Sequence, residues 1–193
     1  SPEKVIAFCE EKRRRGLKLS WEANIHATYC TKPMLEAMKG AGCRQINVGC
    51  ESGSQSILND MKKGLKLEQI ENVFAWARDV GIERRAFFLI GMPNESEEDM
   101  HKTEALVERI QPEVFGVTII CPYPGCDLYN SETMRDYDWS KTDEYSNPYW
   151  RTKYLTNAEL HQWQERLTTR FSHSLAWHNR VLQQQQSEDG ARS

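Results

Sequence analysis

Metal-ligand spacing is what this sequence most plainly lacks. Its six cysteines, Cys9, Cys30, Cys43, Cys50, Cys121 and Cys126, form no Cys-x2-Cys pair. Cys121 and Cys126 flank a Pro-Tyr-Pro-Gly stretch at a spacing that matches no common zinc pattern. His173 and His178, five residues apart, make a poor helical ligand pair. Scattered thiols in half-apolar settings read as reduced and buried, the usage of a cytoplasmic protein. Positive charge is also short. The net charge of −3 removes the electrostatic case for nucleic acid as a partner. No apolar run approaches the ~18 residues of a membrane span, and no signal-peptide pattern is visible.

What is present suits one globular domain with a real core: 193 residues, 39% of them hydrophobic. Residues 3–15 read as a helix with Val5, Phe8, Cys9 and Lys12 on one face, stopped by Gly16. Residues 17–24 read as a strand. Thr31 opens a helix with Pro33 in its first turn, an apolar stripe of Leu35, Met38 and Ala41, and Gly42 after its end. Residues 44–50 form the next strand, followed by a short helix over 54–61 and a longer one over 67–80, closed by Gly81. The run RAFFLI, residues 85–90, reads as a strand buried on both faces. Ser96 with Asp99 resembles a capping box before a helix that runs to Ile110, and residues 114–120 form a fourth strand.

Strand and helix therefore alternate, which argues for right-handed βαβ units and a parallel sheet. The expected fold class is α/β, a partial TIM-type barrel with four parallel strands, followed by an irregular aromatic segment and a C-terminal amphipathic helix. The expected divisions are residues 1–126 for the barrel part, 127–183 for the extension and 184–193 for a disordered tail. Thr156 with Glu159 forms a second capping box, and Leu160, Trp163, Leu167, Phe171, Leu175 and Leu182 supply the stripe of the last helix. Sites in such folds collect at the carboxyl ends of the strands. Asn24, Glu51, Ser52, Gly91 and Tyr123 all fall there, and an acid in that place points toward a site rather than a core.

Four pieces stand in a fixed order: AGCRQINVGCESGSQSILNDMKKG, AWARDVGI, AFFLIGMPNESEED and ICPYPGCDLY. Together they resemble the second part of a radical S-adenosylmethionine (SAM) enzyme core, over roughly residues 3–130. They are most similar to the branch whose members often carry a cobalamin-binding domain. The resemblance implies a (β/α)6 partial barrel, SAM and a [4Fe-4S] cluster as cofactors, and cobalamin as a further cofactor in that branch. It implies reductive cleavage of SAM to a 5′-deoxyadenosyl radical, or methyl transfer. The family's cluster motif, Cys-x3-Cys-x2-Cys, occurs nowhere in this sequence. The four strands match the barrel's third to sixth. The first two strands and the cluster loop are therefore expected before Ser1, as part of a missing N-terminal barrel half accompanied by a cobalamin domain. The chain alone is expected to be inactive.

By the same resemblance, Glu51 accepts from the SAM ribose hydroxyls and Ser52 adds a hydrogen bond. Lys63 pairs with the SAM carboxylate in a charge-assisted contact. Asn24 occupies a polar position at a strand end. Phe88 and Gly91 belong to the segment beside the adenine, and Tyr123 to the one at its edge. Phe87 stands where some relatives place a ribose-binding acid. Each residue also has a plainer reading. Glu51 would cap the helix near Ser54, Lys63 would complement a helix end, and the Gly91 stretch would be an ordinary turn. Two other functions compete. A tRNA methylthiotransferase or coproporphyrinogen oxidase relative fits the ESGS spelling less well. A non-catalytic truncated barrel, used for binding or assembly of an unidentified partner, would explain the missing cluster loop. Tyr145, Tyr149 and Trp150 are expected to cover the barrel mouth.

Overall fold

The computed structural model describes residues 1–143 and 145–171. The expected tail and the stripe residues Leu175 and Leu182, with His173 and His178, lie outside the described residues. The elements are α1 (Pro2–Arg14), β1 (Trp21–Ile25), α2 (Lys32–Gly40), β2 (Cys43–Glu51), α3 (Gln55–Asp60), α4 (Leu67–Val80), β3 (Glu83–Ile90), α5 (Glu97–Ile110), β4 (Val114–Ile119) and α6 (Asn157–Phe171). The four strands form one parallel sheet in the order β1-β2-β3-β4. This is the expected α/β partial barrel.

One face of the sheet is closed by helices. Ile46, Val48, Ala86, Phe88 and Ile90 are buried there with Leu35, Met38, Ile70, Phe74, Met100 and Leu106. The alternation of β-strand side chains sends their neighbours to the opposite, open face. RAFFLI is therefore not buried on both faces as expected, since Phe87 is 43% exposed. Polar side chains bond across strands on the open face. The Gln45 amide donates to Glu22 (2.8 Å) and Asn47 (2.7 Å), and Asn47 donates to Asn24 (2.9 Å).

The first strand begins later than expected, at Trp21 instead of Leu17. The reason lies on α1. The buried Lys12 ammonium donates to the carbonyls of Leu17, Leu19 and Ala41, each at 2.8 Å. Three donors meet three acceptors, so the charge is tolerated. The segment before β1 is thereby tied to helix ends instead of the sheet ladder.

α6 covers the outer edge of β4, where Gln164 donates to the Val117 carbonyl at 3.2 Å. It is also tied to α5. Arg166 grips Glu104 bidentately at 3.0 and 2.8 Å, and Arg170 adds a contact at 2.6 Å. The reciprocal box of Thr156 and Glu159 starts this helix as expected. The edge of β1 has no further strand beside it among the described residues.

Candidate functional site

β2 ends irregularly. Its register to β3 slips between Gly49, opposite Phe87, and Glu51, opposite Phe88, leaving Cys50 as a bulge. Glu51 then adopts φ 64°, a left-handed conformation that a side-chain-bearing residue holds at a cost of about 1–2 kcal/mol. Its side chain folds back over Gly49, where an added Cβ would lie 2.5 Å from Glu51 Oε1. A side chain at residue 49 would push the Glu51 carboxylate out of this position. The carboxylate accepts from Lys63 Nζ at 2.5 Å. Glu51 is thus not the cap of α3. It is aimed by a strained backbone at the carboxyl end of the sheet and held beside a cation. Backbone strain of this kind persists where the surrounding structure over-determines it.

Ser52 has a different setting. It is fully buried, its oxygen accepts from the Ser54 amide (3.1 Å) and lies 3.4 Å from Thr103 Oγ1. Gly53 donates its amide to Thr103 Oγ1 (2.9 Å), and a Cβ there would sit 2.2 Å from the Lys102 carbonyl. Ser54 donates to Asp99 at 2.6 Å. Burial pushes the Asp99 carboxyl up, but the hydroxyls of Ser54 and Ser96 more than offset it and hold it below its ordinary range. The sequence SGS is therefore the plate that bolts the Glu51 corner onto α5.

The turn after β3 is fixed from two sides. Inside it, Glu95 accepts from the amides of Gly91 (2.5 Å) and Met92 (3.1 Å), while its other oxygen is buried without a partner. Burial raises the Glu95 carboxyl to about 7, against the pull of those two amides. From outside, Trp150 Nε1 donates to the Gly91 carbonyl at 2.6 Å, Thr152 donates to the Glu95 carbonyl at 2.8 Å, and the Lys153 amide donates to the Pro93 carbonyl at 2.8 Å. Gly91 takes φ 100°, and a Cβ there would meet the Trp150 indole at 3.1 Å. Asn147, fully buried, donates to the Ile120 carbonyl at 3.1 Å just past β4. Residues 147–157 thus clamp the ends of both strands.

The expected site residues fall into two groups. Glu51, Lys63 and the Gly91 backbone meet the carboxyl end of the sheet, and Asn24 lies on the open face of β1. Phe88 does not present its ring there. It is 2% exposed on the helix-covered face, 5.6 Å from the Phe115 ring, so only its backbone is left for a ligand. Strand alternation puts Phe87 on the open side instead. Tyr123 is half exposed in an aromatic group, 6.1 Å from Trp139, which also neighbours Tyr129 and Tyr137. The three residues expected over the barrel mouth divide: Trp150 is buried in the clamp, Tyr149 stacks on Tyr137 at 4.4 Å, and Tyr145 is exposed. Glu95, Asn147 and Thr152 were not singled out from sequence. Asn147 and Thr152 act on backbone groups far along the chain, whereas Glu95 bonds amides of its own turn, and only that acid in GMPNE offered a signal.

Among the described residues no group of three or more His, Cys, Asp or Glu side chains could hold a metal ion. Cys9, Cys30, Cys43 and Cys50 are buried and free, and burial pushes the Cys30 thiol to about 12 and Cys43 to about 11. Cys126 departs from the expected burial and is exposed, since it lies in the turn past β4 and not on a packed face. These residues do not fit an iron–sulfur cluster. No described helix is long and apolar enough to cross a membrane.

Helix-backed parallel strands in one sheet define a barrel-type α/β protein, with the candidate site at the carboxyl ends of the strands. The family is more specific. The Radical SAM superfamily model matches residues 1–107, and the chain belongs to that superfamily. Bacteriochlorophyllide d C-12(1)-methyltransferase of Chlorobaculum tepidum is 30% identical over 150 residues, 75% of this chain and 32% of that protein. Anaerobic magnesium-protoporphyrin IX monomethyl ester cyclase of Cereibacter sphaeroides is 29% identical over 166 residues, 82% of this chain and 27% of that protein. Among solved structures, the radical SAM methyltransferase TsrM from Kitasatospora setae, with cobalamin and a [4Fe-4S] cluster bound, superposes with a TM-score of 0.53 at 20% identity. The match covers 61% of this chain and 24% of that one. The chain spans about a third of the length of the curated relatives it matches.

Proposed function

We propose that this chain supplies the SAM-cradling part of a radical SAM enzyme from the cobalamin-associated branch. The observation that carries this reading is the Glu51 corner. A carboxylate is held in a left-handed backbone, folded over Gly49, with Lys63 beside it. SAM offers both complements: ribose hydroxyls that donate to an acid, and an amino-acid carboxylate that pairs with a cation. Glu51 would take the hydroxyls and Lys63 the carboxylate, exchanging their mutual pair for two ligand contacts. Ser52 acts through position, by anchoring that corner to Thr103. Asn24 lines the same open face, and the clamped Gly91 turn and the segment up to Tyr123 would bound the adenine.

Bound SAM would supply radical or methyl-transfer chemistry. No trio among the described residues fits the cluster, so its ligands, and a cobalamin where one is used, would come from a further part of the enzyme. The chain alone would then be inactive. The similarity to the bacteriochlorophyllide methyltransferase supports methyl transfer to carbon as the reaction class.

The test is SAM binding by equilibrium dialysis on the intact protein that contains this chain. Glu51→Gln and Lys63→Met are each expected to weaken binding by about tenfold, the weight of one charge-assisted contact. Unchanged affinity in both variants would sink the proposal and leave the non-catalytic binding protein as the better reading.

A further inference from the structure

We infer that the hollow between the open face of the sheet and α6 binds the carboxylate of a substrate that also has a flat apolar body, with Arg85 as the recognising cation. The inference rests on the SAM-cradle reading for its place in an enzyme, but not for its geometry. The hollow measures about 660 Å³ and is lined by Arg85, Phe87, Tyr145, His161, Gln164 and Thr168, among others.

Arg85 is the anomaly of this molecule. The buried cations Lys12 and Arg84 are fully engaged, Lys12 by three carbonyls and Arg84 by Glu113 and the carbonyls of Phe74 and Ile110, whereas Arg85 is half-buried. Arg85 instead has its Nε buried with no hydrogen-bond partner among the described residues. A buried guanidinium N–H left unmade costs about 1–3 kcal/mol, so a turn of this half-buried side chain that brings the guanidinium to an acceptor in the hollow is favoured. Guanidinium geometry suits a carboxylate gripped by two parallel hydrogen bonds.

The surroundings specify the rest of the ligand. Phe87 stands one pleat along from Arg85 on the same face, 43% exposed, with the guanidinium carbon 5.9 Å from its ring centroid. Gly116 lies opposite Phe87 in the register, and a Cβ there would come within 3.2 Å of the ring. The ring therefore lies over the bare Gly116 backbone, and its outer surface is left for a flat apolar group. Gln164 and Thr168 on α6 provide polar contacts on the far wall. Glu165, also on the lining, would repel a second negative charge. That acid favours a monoanionic carboxylate over a phosphate dianion.

The probe is 2-naphthoate, with the neutral 2-naphthamide as its control, followed by naphthalene fluorescence on the intact protein. The acid is expected to bind about tenfold more tightly than the amide, as one charge-assisted contact allows. Arg85→Gln should erase that preference, Arg85→Lys should retain part of it, and Phe87→Ala should weaken both probes alike. Equal binding of acid and amide, absence of binding, or a preference that survives Arg85→Gln overturns the inference. SAM binding in the same samples separates the two proposals. If SAM is not held but the naphthoate preference stands, the cradle reading falls and this site remains. If SAM is held and the preference is absent, only this site falls.

Discussion

Replacing Glu95 by glutamine isolates a single buried charge. Glu95 is fully buried, and burial raises its carboxyl from an ordinary 4.5 to about 7. An acid raised in the native state binds its proton more tightly folded than unfolded. Native protein then carries more protons than unfolded protein between those two values, and stability falls as pH rises through that window. At about 1.4 kcal/mol per pH unit, the gap corresponds to a loss of about 3 kcal/mol between pH 4.5 and pH 7. The glutamine amide of the variant stays neutral throughout. Its oxygen can accept from the amides of Gly91 and Met92, while its NH2 replaces the oxygen that has no partner. Urea unfolding of both proteins at several pH values from about 5 to 8 measures the effect. The stability of Glu95→Gln relative to wild type should improve steadily with pH, by an amount approaching that ~3 kcal/mol. Asp99, the charged neighbour, is held below its ordinary range and loses its contribution only in more acidic solution, outside this window. Parallel pH profiles for the two proteins would refute the reasoning.

Gly53→Ala should destabilise the fold by about 2–3 kcal/mol, because the new methyl meets the α5 backbone and not a movable side chain. A thermal melt indistinguishable from wild type would show that α5 can move away. Among the cysteines, Cys126 is exposed and should react with a thiol reagent at once. Cys30, Cys43 and Cys50 should wait for unfolding, and fast labelling of all would contradict their burial and raised values. The free edge of β1, beside the exposed Phe8, should make this chain self-associate when expressed alone. Sedimentation as a clean monomer would argue that another segment covers the edge.

The order of elements was readable from periodicity because most strands and helices obey local rules. Gly81 ends α4 in the left-handed conformation, and Ser96 with Asp99 starts α5, as their spelling predicts. The start of β1 was not readable, since it depends on Lys12 reaching carbonyls in two other segments. The run RAFFLI could not tell its two faces apart, because Phe87 and Phe88 are the same residue type. Only the neighbours decide which ring is exposed. At the site, the acid of ESGS stood out in the sequence by its place at a strand end. Its left-handed backbone and its fold back over Gly49 did not, because both follow from a bulge one residue wide. The clamp was hidden for a different reason: Trp150, Thr152 and Asn147 act on backbone groups, which carry no sequence signature.

That clamp has a consequence for how the protein is made. Gly91 and the residue that holds its carbonyl, Trp150, are 59 positions apart. At about 5–20 residues per second, a ribosome needs about 3–12 s to pass from one to the other. During that interval β3 and β4 can pair, yet the turn between them lacks its outer support. The Gly91 turn is therefore the last part of the candidate site to set. A nascent chain can assemble its sheet long before the end of that sheet is locked.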